Sequence, residues 1–360
     1  MGCGILTSMK ELRASVEWRD GHLEVIDQTA LPARLEVRRL ETVAGVVAAI
    51  REMVVRGAPV IGVCGAFAMV LGLGERKPAT AAGAHRELEL LSAEIGAARP
   101  TAVNLSWAVR QVAEAAARGG TVEEVRRLAL AQALRIQEED RESCRRIADF
   151  GRAELARVSR VMTHCNTGRL ATSGIGTALG IVYAKAEAGE PVEVIATETR
   201  PLLQGSRLTA WELMDAGIPV TLVPDSATGP ALAAGRAEVV IVGCDRVALS
   251  GATANKIGTY NLATVARANG IPFYVAGPMT SFDPQLEDGS RIPIEQRPAA
   301  ELRRVGATVL APEVEVWNPA FDVTPPDLIT AFITDVGVLR PPFAQSIARA
   351  IDQAQRLGLR

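Results

Sequence analysis

From Arg160 onward the chain alternates short apolar runs with longer segments rich in Ala and Leu, and this alternation limits the possible folds more than any other feature. The runs RVMTH, VEVIAT, PVTLVP, AEVVIVG and PFYVAG read as strands. Between them, SGIGTALGIVYAKAEAG and LTAWELMDAG carry helical spacing. Strands alternating with helices form βαβ units, so the pattern predicts a doubly wound parallel sheet with right-handed crossovers.

The first half of the chain has a different rhythm. Residues 16–26, VEWRDGHLEVI, read as two short strands joined at Asp20-Gly21, a dipeptide suited to a tight hairpin. From Leu40 the pattern is helical, through LETVAGVVAAIREMVV, AGAHRELELLSAEIGAARP and the stretch from Leu105 to Arg118. Thr121 followed by Glu124 is a capping-box signature that opens a long charged helix. With 360 residues, the chain exceeds one ordinary core. The fold class expected is therefore α/β: a helical N-terminal domain with a small β element (1–125), a connecting helix (126–157) and a Rossmann-like doubly wound domain (158–360).

Several function classes are disfavoured by composition. The run Gly57–Gly74 holds 18 uncharged residues, enough for a membrane span. Pro59, Gly62, Gly65 and Gly72 interrupt it, which predicts a buried helix and no membrane partner. A net charge of −2 with Lys and Arg spread along the chain provides no basic face for nucleic acid. Five cysteines (Cys3, Cys64, Cys144, Cys165, Cys244) without paired spacing point to a reducing, cytoplasmic setting. With three histidines and no CxxC or His-rich cluster, no classical zinc site is predicted, which leaves only weak binding of a metal through carboxylates open. Met1-Gly2-Cys3-Gly4 lacks the Ser or Thr that myristoylation wants at position six, where Leu6 stands.

In open α/β sheets ligands collect beyond the carboxyl ends of the strands. The residues found there are His164-Cys165-Asn166, Glu198-Thr199-Arg200, Asp225-Ser226 and Cys244-Asp245-Arg246, a polar and reactive set. Cys165 precedes Gly168, Gly174, Gly176 and Gly180, so a helix N-terminus is expected to approach an anion or to lower the thiol pKa. His164 should point to the opposite face and pack elsewhere. Asp245 leaves an apolar strand, where desolvation would keep a proton on it; capping the next turn or pairing with Arg246 fits equally well. Cys244 reads as a packing residue. Arg56-Gly57-Ala58-Pro59 opens the apolar helix near its positive end and suits a phosphate, though an exposed arginine at a helix start explains it equally well; Arg99 and Lys256 are likewise single cations that surface positions would explain.

The strings RGAPVIG, ARPTAVNLSWA, THCNTGRLATSGIGTALG, TETRPLLQGSRLTAWEL, VGCDRVALSGATANKIGTYNLA and NPAFDVTPPDLITAFITDVGV, with IDQTALP and IPIEQR, together resemble the methylthioribose-1-phosphate isomerase family. The resemblance runs from about Trp18 to Pro342. It implies a helical domain joined to a Rossmann-like one, a sugar-phosphate substrate from methionine salvage, no cofactor and a homodimer. It further implies that Cys165 and Asp245 form the catalytic pair, and that Arg56, Gly57, Ala58, Arg99, Gln204, Asn255 and Lys256 contact substrate. Two positions depart from the family's usual strings: Cys244 and Thr167 stand where Ala is common. Neither removes a functional group.

Overall fold

The computed structural model describes residues 14–99 and 103–358, so Cys3 and the N-terminal lipidation reading lie outside the described residues. The chain opens with an antiparallel sheet of β1 (Val16–Arg19), β2 (His22–Ile26) and β3 (Val37–Leu40). Asp20 and Gly21 take φ of 45° and 84°, the backbone of a two-residue hairpin turn whose twist matches the flanking strands. β3 exposes Arg38 and Arg39 and lacks apolar alternation, so the sequence announces only its two partners.

Five helices follow: α1 (Val43–Arg51), α2 (Ala58–Arg76), α3 (Ala81–Gly96), α4 (Val103–Ala116) and α5 (Val122–Glu154). The uncharged run is α2, which is long and apolar enough to cross a membrane but is mostly buried among α3, α4 and α5. Trp18 of the hairpin stacks on its Phe67 with ring centroids 5.0 Å apart. Thr121 and Glu124 form the capping box expected of them, and the helix they start runs unbroken for 33 residues. Its first half packs Val125, Ala129, Ala133 and Ile136 into the helical core; farther along, Ile147 joins a core against the large sheet. One helix thus serves both halves of the molecule.

That sheet is built from β4 (Arg160–Thr163), β5 (Glu193–Thr197), β6 (Val220–Val223), β7 (Val239–Val242), β10 (Phe273–Ala276), β14 (Ala331–Thr334) and β15 (Gly337–Leu339). The intervening elements are α6 (Ala178–Glu187), α7 (Ala210–Asp215), α8 (Thr228–Ala233), β8 (Arg246–Val247), β9 (Thr253–Lys256) and α9 (Thr259–Ala268). Then come α10 (Ala299–Arg303), β11 (Arg304–Val305), β12 (Thr308–Val309), β13 (Phe321–Thr324) and, last, α11 (Phe343–Arg356).

All five expected strands are present. The sheet order is β15-β14-β10-β7-β4-β5-β6, parallel except for the edge strand β15. Alternate residues feed two cores: Met162, Val240, Val242, Phe273 and Val275 face α8, α9 and α11, whereas Val161, Val239, Ile241 and Tyr274 face α5, α6 and α7. Phe332 meets Phe282 and Phe343 edge-on at 5.4 and 4.8 Å, contacts worth about 0.5–1.5 kcal/mol each beyond their burial. A separate small sheet, β13-β9-β8, closes over the carboxyl ends of β4 and β7.

Candidate active site

The chain lays β4, β5 and β6 outward in one direction, then returns to place β7 on the other side of β4. Strand order therefore reverses between β4 and β7, and the loops leaving these two strands part to form a crevice. Cys165 follows β4 and Asp245 follows β7, so both stand at this reversal and line one cavity. Arg56, Gly57, Ala58, Arg99, Gln204, Asn255 and Lys256 line the same cavity. Segments more than 200 residues apart in sequence have been drawn together.

Cys165 is buried and holds φ of 62°, the left-handed region that a residue with a Cβ enters at a cost of about 1–2 kcal/mol. Two threonines hold it there. Its N–H donates to Thr199 Oγ1 at 2.9 Å, and its carbonyl accepts from Thr209 Oγ1 at 2.6 Å. Thr209 ends a wide helical turn, Gly205–Thr209, which starts where a Cβ on Gly205 would lie 1.7 Å from the Thr197 carbonyl oxygen. Only glycine fits, and the turn brings Gln204 to the cavity with its buried Oε1 lacking a hydrogen-bond partner in the described residues.

His164, just past the end of β4, packs elsewhere, as expected. Its Nε2 lies 2.8 Å from the Ile257 carbonyl, which can only accept, so Nε2 carries the proton and Nδ1 accepts from Thr197 Oγ1 at 2.6 Å. Burial holds the imidazole pKa below its ordinary value. The ring is a neutral strut and forms no dyad with Cys165.

Arg56 is almost fully buried and donates to the Asn166 carbonyl at 3.1 Å and to its Oδ1. Asn166 Nδ2 in turn donates to the buried Glu212. Asn166 stood in the strand-end set read from the sequence, but Glu212 and the relay between them were not legible there, because a buried polar relay has no period and no motif. Gly57 takes φ of 110° and lies so close to Ala171 that a Cβ would stand 2.7 Å from its carbonyl oxygen, so α2 begins hard against the loop after β4. Lys256 Nζ donates to the Ala320 carbonyl at 2.9 Å and sits 4.6 Å from the Phe321 ring centroid. Arg99 pairs with Glu295 at 3.3 Å. Arg246 reaches Asp283 at 3.8 Å, so it does not serve as the partner of Asp245.

The electrostatics of the site follow from burial. Asp245 keeps some surface toward the cavity, yet the surrounding protein raises its carboxyl pKa, with Lys256, Arg99 and Arg56 pulling it back. Desolvation likewise pushes the Cys165 thiol up, against Arg56 and Lys256. This corrects the expectation that a helix N-terminus lowers the thiol pKa: α6 starts only at Ala178, and burial prevails at Cys165. Cys244, half-buried beside the acid, is pushed up to about 12 by burial and behaves as packing. Among the described residues no three His, Cys, Asp or Glu side chains gather as a metal site requires. The cavity thus sets Cys165 and Asp245 among the cations Arg56, Arg99, Arg246 and Lys256 and an apolar wall that includes Met53, Ile292 and Phe321.

Residues 54–341 match the Initiation factor 2 subunit family, a span covering most of the chain. The chain belongs to this family. Among relatives in the family, it is 49% identical to a methylthioribose-1-phosphate isomerase of Desulforudis audaxviator, over 94% of this chain and 98% of that one. It is 47% identical to a 5-deoxyribose 1-phosphate isomerase of Moorella thermoacetica, over 95% and 99% of the two chains. Among solved structures, the 5-methylthioribose 1-phosphate isomerase of Pyrococcus horikoshii OT3 superposes with a TM-score of 0.89 at 38% identity, covering 95% of this chain and 96% of that one. A family member from A. fulgidus, titled translation initiation factor eIF-2B subunit delta, superposes at 0.85 with 44% identity, covering 94% and 99%.

Proposed function

We propose that this isomerase converts 5-methylthioribose 1-phosphate to 5-methylthioribulose 1-phosphate in methionine salvage, with Asp245 as general acid and Cys165 beside the migrating hydrogen. The observation that carries the reading is the meeting of Cys165 and Asp245 at the β4–β7 reversal, in one cavity with Arg56, Arg99 and Lys256. Arg56, Arg99 and Lys256 suit a phosphate, and the apolar wall suits a thiomethyl group. A regulatory subunit that only binds a partner has no need of a thiol and an acid in such a cavity. The reading includes a homodimer, as the resemblance implies, in the reducing, cytoplasmic setting that the unpaired cysteines suggest.

Phosphate on the anomeric oxygen prevents the sugar from opening to a free aldehyde. The ring must be broken at the bond from C1 to the ring oxygen, and that oxygen needs a proton as the bond breaks. Asp245 supplies it: burial favours its neutral form, and a bound phosphate would offset the cations that oppose this. Bond cleavage leaves C1 electron-poor. Hydrogen then moves from C2 to C1 with its electron pair, C2 becomes the ketone, and the proton of the C2 hydroxyl restores the Asp245 carboxyl. Cys165 acts in this route as a neutral, polarisable neighbour that keeps water from the cation; its raised pKa makes it a poor base near neutrality.

Isotope tracing tests this route. Ketose formed in D₂O is expected to carry only protium at C1, because the hydrogen never leaves the substrate. Deuterium at C1 would replace the hydride shift with removal of the C2 proton by a Cys165 thiolate.

A further inference from the structure

The NPAFDVTP segment is unused by the chemistry above except for the wall provided by Phe321. Its aspartate, Asp322, stands in β13 opposite Asn255 of β9 and does not line the cavity. Its carboxylate turns instead to the corner where β9 gives way to α9. Oδ2 accepts from the Gly258 N–H at 2.7 Å, and Oδ1 accepts from the Tyr260 N–H at 3.0 Å. These N–H groups belong to the start of α9, where the helix dipole favours a negative charge.

The same stretch of chain holds Lys256. The Ala320 carbonyl accepts from Lys256 Nζ at 2.9 Å and from the Ile257 N–H at 3.0 Å, and the ammonium lies against Phe321. Across the corner, His164 grips the Ile257 carbonyl. Lys256 is therefore seated on a frame made of β13 and the β9–α9 corner, with Asp322 as its charged fastener.

We propose that Asp322 is a positioning residue for Lys256: by locking β13 to the β9–α9 corner it fixes the ammonium at the phosphate end of the cavity. The inference rests on the reading that Lys256 holds the substrate phosphate. Burial outweighs the Tyr260 and Gly258 N–H groups and the nearby Lys256, which pull the other way, and leaves the Asp322 carboxyl raised to about 6.

A double-mutant cycle on the full chain tests it. Asp322→Asn is expected to raise KM for 5-methylthioribose 1-phosphate about tenfold, the worth of one charged hydrogen bond, with kcat within about twofold. In the Lys256→Met background the same change should move KM by less than about twofold, because its target is gone. Asp322→Ser, which keeps an acceptor for one N–H, serves the same cycle if the Asn protein does not fold. An unchanged KM in the single variants, or the full tenfold loss repeated on top of Lys256→Met, would overturn the proposal. If Lys256→Met alone leaves KM unchanged, the phosphate role of Lys256 fails and the inference falls with it, a failure visible in that single variant.

Discussion

Asp245→Asn is expected to lower kcat by about 10²–10⁴-fold, the contribution of a positioned general acid, with KM within a few-fold of wild type. The asparagine keeps the shape of the side chain and its place after β7, so the cavity and its cations stay as they are. What is lost is the proton for the ring oxygen. The pH profile carries a second signature. Burial raises the Asp245 pKa, and the enzyme needs the protonated form, so wild-type kcat falls as pH rises through that pKa. The alkaline limb should vanish in the variant. Steady-state kinetics from acid to alkaline pH checks both outcomes, and a variant within tenfold of wild type would remove Asp245 from the chemistry.

Cys165→Ser is expected to cost about 10²-fold in kcat. Serine tolerates the same backbone, and Thr199 and Thr209 grip Cys165 only through its main chain, so the substitution changes the side chain and leaves the support alone. The hydroxyl is smaller, harder and more strongly hydrated than the thiol, and it admits water beside the electron-poor C1. Single-turnover rates with unchanged substrate affinity would place the loss in the chemical step. A rate near wild type would reduce Cys165 to packing.

How much of this was legible in the sequence depends on the distance over which each signal acts. The βαβ rhythm is local, so β4, β5, β6, β7 and β10 could be read directly, and the strand-end rule then placed Cys165 and Asp245 near each other. The hairpin turn at Asp20-Gly21 is likewise written in two residues. β8 and β9 are short; β8 pairs with β9, and β9 pairs in turn with β13, some 65 residues farther on, so no local pattern marks them. Arg56, Arg99 and Lys256 each look like an ordinary surface cation, and only the closing of α2, α4 and the small sheet over the crevice makes them a set. The left-handed backbone at Cys165 was invisible because it is imposed by tertiary hydrogen bonds against the residue's own preference. Glu212, and the link from Asn166 to it and to Arg56, were hidden for a related reason: the three residues come from three separate segments.

The most direct test of the account is to follow 5-methylthioribose 1-phosphate with the purified protein by ³¹P and ¹H NMR, beside ribose 1,5-bisphosphate and beside the Asp245→Asn variant. The account predicts conversion of the methylthio substrate to the 1-phosphorylated ketose, much slower conversion of the bisphosphate, and almost none with the variant. No ketose from the wild-type protein, or faster turnover of the bisphosphate, would contradict it.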